Sequence, residues 1–185
     1  NSGYGVLQFK ANGEDFIRQG FTSKDGWNIT FDNVYITLAE ITGYQTNPPY
    51  EPDKGKDIAA ETKVSLPGIF TVDLAEGDEN APPILVGEVK DAPAGRYNAI
   101  SWKMVKAADG EAKGHSLVIK GKAQKDKITL DFVIRLDNEF MFIGGEFIGD
   151  ERKGILEDNS AADLEMTFHF DHIFGDAGLP ADDGL

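Results

Sequence analysis

The stretch ITLDFVIRL at residues 128–136 decides the fold class. Its apolar residues recur at every second position from Ile128 to Leu136, with Asp131 and Arg135 among the residues between them. A period of two is that of a β-strand, in which successive side chains point to opposite faces. The pattern therefore predicts a strand at residues 127–136 with one apolar face.

The sequence on both sides of this stretch follows the same pattern. Gln124, Lys125 and Asp126 connect it to a strand pattern at residues 116–122, which predicts a hairpin. Alternation recurs along most of the chain, and no long stretch has a clean helical period. We therefore expect an all-β fold with about ten short strands, an antiparallel β-sandwich of the Ig-like or Greek-key type, and a β-barrel is the alternative.

Several short stretches of the sequence predict individual strands, turns, loops and core residues. Residues 13–19 are expected to form a short helix or a loop, and Trp102 is expected in the core. Pro67 and Gly68 form a turn pair, which predicts a break between two strands. The other predicted strands cover residues 5–11, 27–31, 34–41, 63–66, 69–74, 84–89, 96–105, 140–143 and 162–170, and long loops are expected at 42–62 and 75–83.

The composition limits the class of protein. The chain has 185 residues, which fits a single domain, and we expect that domain at residues 1–176 with a flexible acidic tail at 177–185. A hydrophobic content of 41% excludes wholesale disorder, and no apolar run is long enough to span a bilayer. The chain has no cysteine, so disulfides, thiolate metal sites and cysteine nucleophiles are excluded.

The first residues, Asn1 to Gly5, contain neither an initiator Met nor a signal-peptide core. We expect an exported protein, periplasmic or extracellular, with a signal peptide before Asn1 and a lipid anchor there as a further option. A domain cut from a larger chain is the alternative, and the precursor sequence distinguishes the two.

The net charge of −14 is concentrated near the C-terminus. Residues 137–185 contain thirteen Asp and Glu but only two basic residues, Arg152 and Lys153. An acidic surface repels nucleic acid and attracts metal ions and cationic protein partners. A simple role in solubility is the alternative explanation of this charge.

The segment EMTFHFDHIF at residues 165–174 contains two of the three histidines in the chain. In a strand, Met166, Phe168 and Phe170 would face the core, while His169 and Asp171 would share the opposite face. Imidazole nitrogen and carboxylate oxygen suit Zn²⁺ and Cu²⁺. His169, Asp171 and His172 are therefore the predicted ligands of a transition metal ion, although solvent-facing strand residues would give the same pattern.

Two further residues could complete the coordination of such an ion. His115 precedes the strand pattern at 116–122, and Glu14 follows a strand pattern at 5–11. Both are predicted as additional metal ligands, because three or four protein ligands are usual for these ions. Ca²⁺ is a second option, since Asp-rich loops supply oxygen donors, but none of them has the EF-hand spacing.

Catalytic motifs are missing from the sequence. No Ser lies in a G-x-S-x-G elbow, and no glycine-rich phosphate loop appears. We therefore do not expect an enzyme, and no catalytic or organic-cofactor residue is proposed. Carbohydrate binding is weakly indicated by Tyr44 and Tyr50, which fall in a predicted loop.

Three stretches carry a resemblance to a known group: DGWNITFD at residues 25–32, APAGRY at 92–97 and FHFDHIFGD at 168–176. Together they resemble a group of bacterial exported β-sandwich proteins with an H-x-D-H-x-F-G-D segment, similar in outline to the MbnP-like periplasmic metal-binding proteins. The resemblance covers about a third of the chain and implies export and metal binding. The expected function is that of a metal binder or carrier, and the alternative is a surface module for adhesion or for protein or carbohydrate interaction.

Overall fold

The computed structural model describes residues 3–47, 57–144 and 154–170. Its single helix, α1, is short, and no helix in these ranges is long and apolar enough to cross a membrane. In chain order the elements are β1 (Tyr4–Asn12), α1 (Asp15–Gln19), β2 (Phe21–Thr22), β3 (Asn28–Thr46), β4 (Ala60–Asp73), β5 (Ile84–Pro93), β6 (Gly95–Arg96), β7 (Ala99–Met104), β8 (Leu117–Lys125), β9 (Ile128–Leu136), β10 (Phe140–Gly144), β11 (Ile155–Leu156) and β12 (Ala161–Thr167).

The strands form two main sheets. The larger sheet is organised around β3, whose 19 residues pair with β8 and then β7 along one edge and with β2 and β4 along the other. β9 and β10 lie beyond β8 and β7. The smaller sheet has the order β12-β1-β5, and β6 pairs with β11 in a separate two-stranded ladder.

The core lies between the two main sheets and contains side chains from both. Leu7 and Leu164 of the smaller sheet approach Gly43 of β3 so closely that an added Cβ there would lie 3.0 Å from the Leu164 side chain. The buried apolar residues with the least exposure include Leu7, Phe9, Ile36, Leu38, Ile41, Ile119 and Met166. Both main sheets are open and face each other, so the prediction of an all-β sandwich is confirmed.

One strand pair departs from the expected antiparallel arrangement. β1 and β12 run parallel, with Val6 opposite Ala161 and Asn12 opposite Thr167, whereas the other strand pairs in the described residues are antiparallel. Parallel neighbours need a long connection. Here the connection is nearly the whole chain, so local sequence patterns carry no signal of this pairing.

The predicted turn at Pro67-Gly68 is wrong, because β4 runs through it. Leu66 pairs with Ile41 and Ile69 pairs with Ala39, so Pro67 and Gly68 lie together opposite Glu40 as a β-bulge. Gly68 has φ +108°, which glycine adopts readily, and a bulge tolerates a proline because its N–H is not needed in the ladder.

Other predicted strand boundaries also differ from the observed ones. The predicted strands at 27–31 and 34–41 are parts of β3, and β3 and β4 extend into both ends of the predicted loop at 42–62, whose centre lies outside the described residues. The predicted strand at 162–170 ends at Thr167. The hairpin between β8 and β9, the loop at 75–83, the short helix and the burial of Trp102 are as expected.

Gly121 in β8 gives a test of how closely β3 and β8 pack. An added Cβ would lie 2.6 Å from Phe132 Cζ and would also collide with the Thr30 carbonyl oxygen, which belongs to the backbone and cannot move freely. Gly121→Ala should therefore lower the free energy of unfolding by about 2 kcal/mol in denaturant titration. Gly144→Ala is the matched control, because its nearest neighbour is the Ile100 side chain at 3.3 Å. Equal stability of the two variants would contradict the packing described here.

Candidate metal centre

The candidate site lies where β1 and β12 end side by side. Asn12, the last residue of β1, is paired with Thr167, the last residue of β12. The Phe168 N–H donates to the Asn12 carbonyl oxygen at 2.8 Å, so the two chains stay together beyond the strands. The turn that follows β1 is thereby placed next to the segment that follows β12.

Side-chain alternation continues past the end of β12. Met166, Phe168 and Phe170 are buried, and the Phe168 ring packs on Trp102 at a centroid distance of 5.7 Å. His169 points away from this core, and 64% of its side chain is exposed. The prediction that the apolar face of this segment is core is confirmed, and the imidazole is accessible to a ligand.

Glu14 and His169 meet at this rim. Glu14 Oε1 contacts His169 Nδ1, and the Glu14 side chain is 32% exposed. The two residues come from opposite ends of the chain, and the sequence analysis predicted Glu14 as an additional ligand of the ion at His169. A nitrogen donor and a carboxylate donor are thus brought together by the parallel pairing of β1 and β12.

Asn12 holds this arrangement in place. Its Oδ1 accepts a hydrogen bond from the Glu14 backbone N–H at 2.9 Å, and its Nδ2 donates to Glu165 Oε1 at 3.0 Å. We refer to Asn12, Glu14, Glu165 and His169 as the rim cluster. Asn12 was not recognised in the sequence, although an Asn followed by Gly at the end of a strand pattern is a typical start of such a side-chain-stabilised turn.

The backbone at Glu14 is in an unfavourable conformation, with φ 70° and ψ 166°. Residues other than glycine rarely adopt this region, and holding one there costs roughly 1–3 kcal/mol. The Asn12 side chain and the Ile17 N–H, which donates to the Glu14 carbonyl oxygen at 3.3 Å, fix the segment. Strained residues cluster at functional sites, and here the carboxylate of the strained residue meets an exposed imidazole.

A shallow depression adjoins the rim cluster. It is lined by Asn12, Glu14, Asp15, Phe16, Gln19 and Gly20. Glu14 and Asp15 place two carboxylates at its edge, and Glu165 adds a third close by through Asn12. Such a concentration of negative charge attracts cations.

The other predicted ligands are not part of this cluster in the described structure. His115 lies in the connection between β7 and β8, where its backbone bonds to Ala107 and Ala112. Asp171 and His172 follow the rim cluster directly in the sequence but lie outside the described residues. Within residues 3–47, 57–144 and 154–170, no three His, Asp or Glu side chains are grouped as a metal site.

A second concave surface lies on the outer face of the larger sheet, around the bulge at Glu40. Four hydroxyl groups pair there, Tyr44 with Ser101 at 2.8 Å and Thr42 with Ser65 at 3.1 Å. Lys103 forms an ion pair with Glu40 at 2.7 Å, and this hydrogen bond raises the pKa of Lys103. Tyr44 thus belongs to β3 and not to a loop, and Tyr50 lies outside the described residues.

Comparisons with protein-family models, with curated proteins and with solved structures found no match to this chain. The rim cluster is the strongest candidate for a functional site in the described structure, because it combines accessible donors with a strained and fixed backbone.

The strain at Glu14 is testable with two substitutions that both remove the carboxylate. Glu14→Gly should be more stable than Glu14→Ala by about 1–2 kcal/mol, because only glycine adopts the observed φ and ψ without strain. Thermal and denaturant unfolding would measure the difference. If the alanine variant were equally or more stable, Glu14 would not hold the strained conformation.

Proposed function

We propose that this protein binds a transition metal ion, Zn²⁺ or Cu²⁺, at the rim cluster and acts as a binder or carrier of that ion. The observation that carries the proposal is the contact between Glu14 Oε1 and His169 Nδ1. Imidazole and carboxylate are common protein ligands of both ions. The resemblance of the segment at 168–176 to exported metal-binding proteins points the same way.

Two roles for Glu14 follow from the contact geometry. If Glu14 accepts a hydrogen bond from the Nδ1 proton, the metal ion binds at His169 Nε2, and Glu14 orients the ring as carboxylates do around many metal-bound histidines. If the ion takes the place of that proton, Glu14 is itself a ligand. In both cases Asn12 fixes the backbone that presents the carboxylate.

The coordination needs donors beyond this pair, because such ions usually take three or four protein ligands. Asp171 and His172 provide a carboxylate and a second imidazole within three positions of His169 in the sequence. Ca²⁺ would use the carboxylates without the imidazole, so a competition series between Zn²⁺, Cu²⁺ and Ca²⁺ identifies the type of ion. Export remains a prediction, which the precursor sequence tests.

The central test is metal titration by calorimetry, with metal analysis of protein purified without chelator. The wild type should bind about one Zn²⁺ or Cu²⁺ per chain, and His169→Ala should abolish binding. Glu14→Gln keeps a hydrogen-bond acceptor for Nδ1 but removes the negative charge. If Glu14 only orients the ring, metal affinity should therefore fall by no more than about 10–100-fold. A complete loss in Glu14→Gln would identify it as an essential ligand.

His115→Ala is the matched control, since it removes the third histidine of the chain from a place away from the rim cluster. It should bind metal as the wild type does. Undiminished metal binding in His169→Ala would refute the proposal, as would the absence of binding for every ion in the wild type.

A second candidate function is favoured by the hydroxyl-lined surface around Glu40. The exposed Ser65 and the half-buried Tyr44 place hydroxyl groups beside Lys103 and Glu40, so the surface has both donors and acceptors, as a carbohydrate or peptide ligand would require. This surface favours a role of the protein as a surface module for carbohydrate or protein interaction. Binding of glycans that is lost in Ser65→Ala, which changes the exposed hydroxyl, and that is unaffected by metal removal would favour this function over metal binding.

A further inference from the structure

The edge of the larger sheet presents an unusual combination of features. β9 pairs with β8 on one side, and no described strand pairs with its other side. Its nine residues contain no Pro or Lys, which edge strands commonly carry to prevent pairing with another chain, and Asp131 and Arg135 are its only charged residues. Such an edge is suited to pairing with a further strand whose charges complement Asp131 and Arg135.

The exposed side chains of β9 are largely apolar. Ile128 is 55% exposed and Leu130 51%, and both lie on the face that carries the buried Leu117 and Ile119 of β8. Val133, on the opposite face, is 44% exposed. The core-facing side of β9 thus extends beyond the part of the smaller sheet that the structure describes, and its apolar surface is left uncovered there.

The charges on β9 identify what could cover this edge. Asp131 and Arg135 lie on the same face, two positions before and two positions after Val133. Asp131 is 83% exposed, and its one basic neighbour among the described residues is Lys122, at 4.0 Å. Arg135 is exposed and has no carboxylate partner in the same part of the chain. The pattern is symmetric about Val133 with opposite charges at its two ends.

We propose that two copies of this chain form a dimer by antiparallel pairing of β9 with β9 across a two-fold axis at Val133. In this register Asp131 of each copy lies opposite Arg135 of the other, and Val133 lies opposite Val133. On the core-facing side, Leu130 lies opposite Leu136. The two larger sheets then form one continuous sheet.

This register is specific because the registers shifted by one or two residues are unfavourable. A shift by one residue would place the apolar, core-facing side chains of one copy opposite the polar, outward-facing side chains of the other copy. A two-fold axis at Ile134 would set Asp131 against Asp137, which is repulsive, and an axis at Phe132 would set Asp131 against Val133.

The experiment is sedimentation equilibrium of the full chain and its charge variants, with circular dichroism to confirm folding. The wild type should be a dimer. Asp131→Arg alone and Arg135→Asp alone should each weaken dimerisation about tenfold or more, because two cross-strand charge pairs become repulsive. The double variant, Asp131→Arg with Arg135→Asp, should restore the dimer.

Lys90→Asp provides the matched control, because it makes the same change of charge as Arg135→Asp on β5, an edge strand of the smaller sheet. It should leave dimerisation unchanged. The proposal is overturned if the wild type is a monomer at all concentrations, if either single reversal leaves a dimer of unchanged affinity, or if the folded double variant does not dimerise. Metal binding plays no part in this test, so its result is independent of the proposed function.

Discussion

The parallel pairing of β1 and β12 is the constraint on which the candidate site depends. It joins two segments from opposite ends of the chain in one register, from Val6 opposite Ala161 to Asn12 opposite Thr167. The register is fixed because Phe9 and Met166 are buried in the core, and a slip of one residue would turn such side chains to the other face of the sheet. The position of Glu14 beside His169 follows from this pairing and from the Asn12 side chain that fixes the turn.

Much of the fold could be predicted from the sequence because alternation is a local signal. β9 was predicted almost at its observed bounds, and the burial of Met166, Phe168 and Phe170 followed from their spacing. The long strands β3 and β4 were harder to predict. They are bent by irregularities such as the bulge of Pro67 and Gly68 opposite Glu40, and a proline beside a glycine gives the same local signal in a turn and in a bulge.

The site could be predicted only in part, for a different physical reason. His169 and Glu14 were recognised by their chemistry, but their contact depends on a pairing between distant segments, which local sequence does not encode. His115 has the same chemistry and lies elsewhere, because the connection between β7 and β8 is held by its own backbone hydrogen bonds. Asn12 contributes through one side chain that bonds to Glu14 and Glu165, and such a role becomes visible only when both partners are in place.

Metal binding at His169 is measured most directly by an anomalous-difference map, collected at the zinc and copper edges, of crystals grown with each ion. We predict a peak about 2.0–2.1 Å from a His169 ring nitrogen, with Glu14 either bound to the ion or hydrogen-bonded to the same ring. A map without a peak at His169, or with the ion bound at another place while Glu14 and His169 stay uncoordinated, would contradict it.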